Sequence, residues 1–417
     1  MNAPAVVPAR RKAWDSRVKS ALWNCLHQTF AFSRRILGLV PPRVWKIFTQ
    51  YVIGFGLLGF IIWKYWGGTP GTLTDEQVAV AILAGSPADA SFQLEGRTPG
   101  LVEIFDQPVS LGPLVFATLL WIICLFMTFV RWYLLVRAQG LPFTLRNAIR
   151  LGLVSYYFNS ILPGSVGGDI LKAVAVAREH SRRTVAVATI IIDRVIGLWA
   201  LAWLVALAGG VFWALGNPHL LENDALKMIV RMTGGIVFTS AVVWSLMGLF
   251  SPKRSDALAA RFERLPKVGG PLAELWRAGW MYRRKKTAVA IALGMTLVSH
   301  CGWVFIFYLC VIAFPEIDAA TFPEHVLIVP VGMTAQALFP LPGGVGGGEA
   351  AYGWLYSLLG KAAIGGILGC LVQRVVAWSI GLIGYIVYTR MKKELPREAL
   401  VPLEQAHDAS KVTDHSG

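Results

Sequence analysis

Residues 159–173 read NSILPGSVGGDILKA, and residues 339–351 read FPLPGGVGGGEAA. Each interrupts a long apolar stretch with proline and clustered glycine. In a helix interior these residues cost about 3 and about 1 kcal/mol apiece, and proline also removes a backbone donor. Both strings therefore break helices. LPGSVGGD at 162–169 matches LPGGVGGG at 341–348 in six of eight positions, with Glu349 arriving one residue later than Asp169. Downstream, DRVIGLWAL at 193–201 corresponds to QRVVAWSIG at 373–381, so Arg194 follows Asp169 by 25 residues and Arg374 follows Glu349 by 25. A chance match of glycine-rich strings does not carry an arginine with it at equal spacing. The chain contains an internal repeat.

The setting of these breaks is apolar. Of 417 residues, 55% are hydrophobic and only 15% charged, with a mean hydropathy of +0.56. Ordinary globular domains run near a quarter charged, so this is the composition of a membrane protein. The 39 Lys and Arg against 24 Asp and Glu mark loops facing the cytoplasm and anionic lipid rather than nucleic acid. Five cysteines (Cys25, Cys124, Cys301, Cys310, Cys370) lie mostly in apolar runs without C-x-x-C spacing. They read as small hydrophobes, with no disulfide framework, metal site or cofactor implied.

Apolar runs near 44–66, 111–136, 184–214, 227–250, 287–314 and 362–389 each reach the roughly 20 residues that a bilayer core requires. Loop charge orients them. The tail 1–43, the loop 251–286 and the end 390–417 are basic and read as cytoplasmic. The segment 67–110 has six acids against Arg97, and 215–226 and 315–325 are acidic, apart from Lys227 and Arg231 just beyond the first of these. Within 1–43, Trp14, Val18, Leu22 and Leu26 recur every fourth residue, which fits an interfacial helix and equally a plain basic tail. No uninterrupted apolar core marks a cleavable signal there. A short helix near 75–84 is expected in the external segment.

Residues 148–180 are flanked on both sides by arginines, and 326–360 lie between an acidic external loop and a span that must run inward. Both read as re-entrant hairpins, two half-helices joined by broken backbone that protein or water, not lipid, must satisfy. The expected fold is an all-α polytopic membrane protein with about six full spans plus two re-entrant helical hairpins in an inverted repeat. Repeat A covers 111–214 and repeat B covers 287–389, joined by a connecting span and basic loop at 227–286. Pro163, Gly164, Gly167 and Gly168 form one turn, and Pro342, Gly343, Gly344, Gly346 and Gly347 the other. Inverted repeats with broken helices meeting at mid-depth are the plan of many secondary transporters.

Arg194 falls about ten residues into its span, roughly 15 Å deep at 1.5 Å per residue, and Arg374 is similarly central. An arginine there costs about 2.5–3.5 kcal/mol on insertion scales and faces a partner or a wet cavity. One reading is structural, with Asp169–Arg194 and Glu349–Arg374 pairs pinning each hairpin to the following helix. The other adds a ligand, because a helix start aims N–H groups and the positive end of its dipole at an anion and an arginine fork suits phosphate oxygens. Against this, a carboxylate at a helix start already satisfies those donors, so the acids serve release or proton uptake if they serve a ligand at all. Asn159, Lys172, Asp193 and Gln373 are weaker candidates, each explained as well by a local cap, a snorkelling group or a helix–helix hydrogen bond.

Several motifs are absent. GGVGGGE lacks the Lys-Ser/Thr of a phosphate-binding loop, His300 has no H-E-x-x-H partner, and no G-x-S-x-G elbow is present. Without an ATP-binding motif, any transport is downhill, ion-coupled or driven by product metabolism. Trp63, Trp66, Trp132 and Trp213, near span ends, read as interfacial anchors.

LPGSVGGDILKA with IIIDRVIGL, and FPLPGGVGGGEAA with QRVVAWSIG, resemble the flippase-like family that includes the transmembrane region of bacterial lysylphosphatidylglycerol synthase, over roughly 110–390. The resemblance implies a multi-pass protein of a bacterial or archaeal cytoplasmic membrane, with both termini cytoplasmic. It would move a phosphate-bearing lipid, an anionic phospholipid or lipid-linked phosphate, between leaflets without being an enzyme. The full synthase carries a large aminoacyl-transferring domain, whereas 27 residues follow Arg390, so aminoacyl transfer is not expected. The alternatives are a membrane enzyme acting on a lipid head group through Asp169 or Glu349 as acid/base, and a non-catalytic partner of a lipid or glycan synthase. Lipid identity and oligomeric state are not legible in the sequence.

Overall fold

The structure, a computed structural model, describes residues 42–68, 99–162, 167–179, 183–217, 222–266, 269–315 and 317–391. The expected N-terminal interfacial helix, the short helix near 75–84, Pro163 and Gly164, and the tail beyond Met391 lie outside the described residues. The chain divides into two units after Gln50, and both repeats with their hairpins lie within the second, Tyr51–Gly417.

Thirteen α-helices and no strand occur among the described residues. They are α1 (Pro42–Lys64), α2 (Leu101–Phe105), α3 (Leu111–Ala138), α4 (Leu145–Ile161), α5 (Gly167–Glu179), α6 (Arg183–Ala214) and α7 (Asp224–Met247). Next come α8 (Pro252–Glu263), α9 (Gly269–Tyr282), α10 (Lys286–Ile312), α11 (Phe322–Leu338), α12 (Gly347–Leu358) and α13 (Ala363–Met391). Five of them, α3, α6, α7, α10 and α13, are long and apolar enough to cross a membrane. The expected first span is helical, over Pro42–Lys64. The loop 251–286, read as basic and cytoplasmic, contains two helices, α8 and α9.

The repeat is visible in the element lengths. α3, α4, α5 and α6 have 28, 17, 13 and 32 residues, against 27, 17, 12 and 29 for α10, α11, α12 and α13. Packing is reciprocal as well. α3 lies against its counterpart α10, α4 against α13, and α11 against α6, so exchanging the halves maps each contact onto another. Along the α3–α10 seam Phe116 meets Phe305, Trp121 meets Trp303 and Arg131 meets Thr296. Numbers rise on one helix as they fall on the other. Equivalent helices therefore run antiparallel, and the repeat is inverted, as expected.

Local chemistry sets the hairpin ends. Thr144 Oγ1 accepts from Asn147 N–H at 3.2 Å to start α4, and Thr321 with Glu324 forms a capping box on α11, each satisfying donors left open by the helix. α4 ends at Ile161, just before Pro163, and α11 ends before the 3₁₀ turn Pro342–Gly344. In repeat B the core is Val304, Phe307, Leu327, Tyr352, Tyr356 and Leu368, with Phe307 stacked on Tyr352 at 4.3 Å. Outward faces are apolar. Phe238, Met228, Leu119 and Val298 are among many large hydrophobic side chains left exposed, as helices bounded by lipid require.

Candidate functional site

Both predicted acid–arginine pairs form, and each bridges a hairpin's second half-helix to the long helix after it. In repeat B, Arg374 Nε donates to Glu349 Oε1 at 2.7 Å. Its other two nitrogens donate to the carbonyls of Gly343 at 2.9 Å and Gly344 at 3.4 Å. Glu349 Oε2 accepts from the Gly346 N–H at 2.8 Å, and Gln336 Nε2 donates to the Gly343 carbonyl at 3.3 Å. The broken backbone is thus satisfied from inside. Gly343, Gly344 and Gly346 have φ of 55°, 66° and 79°, a region that side-chain-bearing residues enter at a cost. Gly347 continues into α12, and Pro342 and Gly344 are buried.

Repeat A repeats the pair with different surroundings. Arg194 Nε donates to Asp169 Oδ2, and Lys172 Nζ stands 3.9 Å from Asp169 Oδ1 and 4.9 Å from the Trp132 ring centre. Asn159 Oδ1, from the last turn of α4, accepts from Gly168 N–H at 2.8 Å. Gly168 is required there by contact rather than by φ, because a Cβ would lie 2.0 Å from the Ser155 carbonyl oxygen. Gly167 stands at the start of α5.

The two arginines differ in access. The Arg194 side chain is 41% exposed against 5% for Arg374. Glu349 is fully buried, at 0%, with both oxygens engaged.

Sequence reading missed Arg131. On α3 it donates from Nε to Asp193 Oδ1 at 2.8 Å and from NH1 to Thr296 Oγ1 at 2.9 Å, tying both halves together at a buried point. An arginine inside an apolar span was the available signal. Asp193 is therefore half of a buried ion pair. Asp169, Asp193, Arg131 and Arg194 all act electrostatically on Lys172, and as formal charges these five side chains sum to one positive. Gln373, which takes Asp193's place in repeat B, is buried, and its Oε1 has no hydrogen-bond partner among the described residues. Trp63, Trp66 and Trp213 are exposed, whereas Trp132 is 1% exposed. It packs edge-on against Phe143 at 5.1 Å and under Lys172, so it is a core residue and not an interfacial anchor. His300 makes a packed polar contact, with Nε2 3.1 Å from the Gly197 carbonyl oxygen.

The last turn of α4 meets the 3₁₀ turn of repeat B. A groove of about 230 Å³ is lined by Tyr51, Tyr157, Ser160, Ile161, Pro342 and Trp378 among others. Its surface is almost wholly apolar. Behind the Trp378 wall the Arg374 guanidinium lies 5.9 Å from the ring centre. Ser160 on the groove and Asn159 on the Gly168 N–H are consecutive, so the last turn of α4 separates an apolar trough from a charged cluster. That arrangement suits an amphiphile, with hydrocarbon on one side and an anionic group on the other.

Five helices long and apolar enough to cross a membrane, with an inverted repeat of helices, define a polytopic integral membrane protein. Residues 105–384 match the family described as the lysylphosphatidylglycerol synthase TM region, and the chain belongs to that family. Membership relates it to lipid modification or transport at the membrane. No curated protein matches the chain, and no solved structure does.

Proposed function

We propose that this protein moves a phosphate-bearing lipid between the leaflets of a bacterial or archaeal cytoplasmic membrane, without chemically altering it, with both chain termini on the cytoplasmic side. The observation that carries this reading is the unequal access of the two arginines. Arg374 is turned inward to hold its own hairpin, while Arg194, in an otherwise equivalent pair, presents its side chain at the edge of a cluster with a net formal charge of one positive. A phosphodiester head group carries one negative charge and accepts forked hydrogen bonds. The head group sits against Arg194 and Lys172, and Asp169 yields part of its hold on both when the lipid arrives. The groove beside Tyr157, Ile161 and Trp378 takes hydrocarbon. Glu349 and Arg374 maintain the second hairpin.

The test is reconstitution in proteoliposomes with dithionite-quenchable fluorescent lipids of different head groups. Movement selective for anionic head groups, lost in Arg194→Ala, is the expected result. Equal movement in Arg194→Ala removes the site assignment. No movement above protein-free vesicles removes transport, and recovery of a chemically altered lipid establishes a head-group enzyme instead.

A further inference from the structure

Away from the hairpins, a second pocket lies where α7 ends and α10 begins. It is an open depression of about 490 Å³, lined by Gly248, Phe250, Pro252, Arg283, Arg284, Lys286 and Thr287. Three cations line it, and no carboxylate among the described residues does.

These cations stand on a folded platform. α8 and α9 pack together through Trp276, whose Nε1 donates to Ser255 Oγ at 2.9 Å and whose ring meets Phe250 and Phe262 edge-on. Arg277 pairs with Glu263 at 2.7 Å. Tyr282, fully buried, donates to the Leu135 carbonyl at 2.7 Å and so pins the end of α9 to α3. Arg283 lies over the Trp280 ring at 3.0 Å and donates to the Trp280 carbonyl at 2.8 Å. Burial, and after it the neighbouring Arg284 charge, hold the Arg283 guanidinium below its ordinary range. Like charges are being held together.

Two apolar flanks lead away from this pocket. Leu246 and Leu249 at the end of α7, and Ile291 and Val298 along α10, are exposed. A free anion makes no use of them. We propose that the pocket binds the phosphate of an anionic phospholipid whose acyl chains lie along the exposed flanks of α7 and α10, at a site separate from the hairpin cluster. Basic pockets at helix ends on the cytoplasmic side hold lipid head groups in this way, and arginine forks supply the contact.

The experiment uses the full chain in phosphatidylcholine nanodiscs doped with a phosphatidylglycerol analogue carrying a diazirine in its head group, with adducts mapped by mass spectrometry. Adducts are expected at 248–252 and 283–287. Labelling falls roughly fivefold in Arg284→Gln, an exposed position, and roughly 25-fold in the Arg283→Gln/Arg284→Gln double variant, as about 1 kcal/mol per basic residue requires. Arg277→Gln, which breaks only the pair with Glu263, labels as the parent does. Unmodified phosphatidylglycerol competes and phosphatidylcholine does not. Undiminished labelling of both Arg284→Gln and the double variant, or equal competition by phosphatidylcholine, overturns the proposal. Displacement by inorganic phosphate as effective as by phosphatidylglycerol shows a soluble anion to be the ligand and overturns the lipid assignment.

Discussion

Two arginines 25 residues beyond two acids meet different fates, and the difference is measurable. Arg374 and Glu349 are both buried and hydrogen-bonded on every side that faces the loop. Removing one partner strands a charge in a low-dielectric interior, which costs about 3–5 kcal/mol. Arg374→Met and Glu349→Ala are each expected to lower the thermal midpoint of the detergent-solubilised protein sharply. The double replacement Glu349→Leu/Arg374→Met should recover part of the loss, because no lone charge is left behind although the Gly346 N–H and the Gly344 carbonyl still lose their side-chain partners. Arg194 behaves otherwise: its own side chain is 41% exposed, and its buried partner Asp169 keeps the Lys172 ammonium 3.9 Å away when the arginine is removed, so no carboxylate is stranded without a cation. Arg194→Ala should therefore keep its thermal midpoint within a few degrees while transport falls to the protein-free rate. A matched loss of stability in both arginine variants contradicts this division of labour. The spacing that revealed both pairs contains nothing about exposure, which depends on what the rest of the fold lays over each one.

At the scale of elements, each hairpin depends on one close approach. Gly168 lets α5 start against α4, with the Ser155 carbonyl where a methyl group would go. Gly346 combines a φ of 79° with Leu57 Cβ only 2.9 Å from a would-be Cβ. Gly168→Ala forces two backbones apart, an overpacking cost of about 1–3 kcal/mol, and displaces Asp169 with them. Its expected outcome is lowered stability together with lost transport. Gly210→Ala, in the interior of α6 with open space around it, should be neutral or stabilising by up to about 1 kcal/mol. Circular-dichroism melts of the two variants side by side check the contrast, and equal melting temperatures would show that the α4–α5 approach is looser than the geometry states. These glycines were legible in the sequence as helix breakers. Which of them answers to φ and which to a neighbour's backbone was not, since both demands select the same residue.

For the whole molecule, the antiparallel seam between α3 and α10 implies that the hairpins open on opposite faces. Arg146, near the start of α4, and Phe322, at the start of α11, are both exposed. In a background without native cysteines, Phe322→Cys should react with a membrane-impermeant thiol reagent on intact cells. Arg146→Cys should react only after permeabilisation. Reaction of both from the same face rules out the inverted placement in the membrane. The pairing of counterpart helices also explains why Arg131 matters to both halves, because it binds Asp193 within repeat A and Thr296 across the seam.

The sequence by itself determined the polytopic helical class, the repeat and its inversion, and the partners Asp169–Arg194 and Glu349–Arg374. Hydrophobic length, loop charge and motif spacing are local or periodic quantities that survive in one dimension. The tertiary structure alone decided that Arg131 completes the charged cluster, that Trp132 is core, that residues 251–286 form a two-helix platform, and that only one arginine of the matched pair is open. Those outcomes depend on which faces of distant helices are brought together, and burial is a property of the assembled neighbours rather than of the residue that is buried.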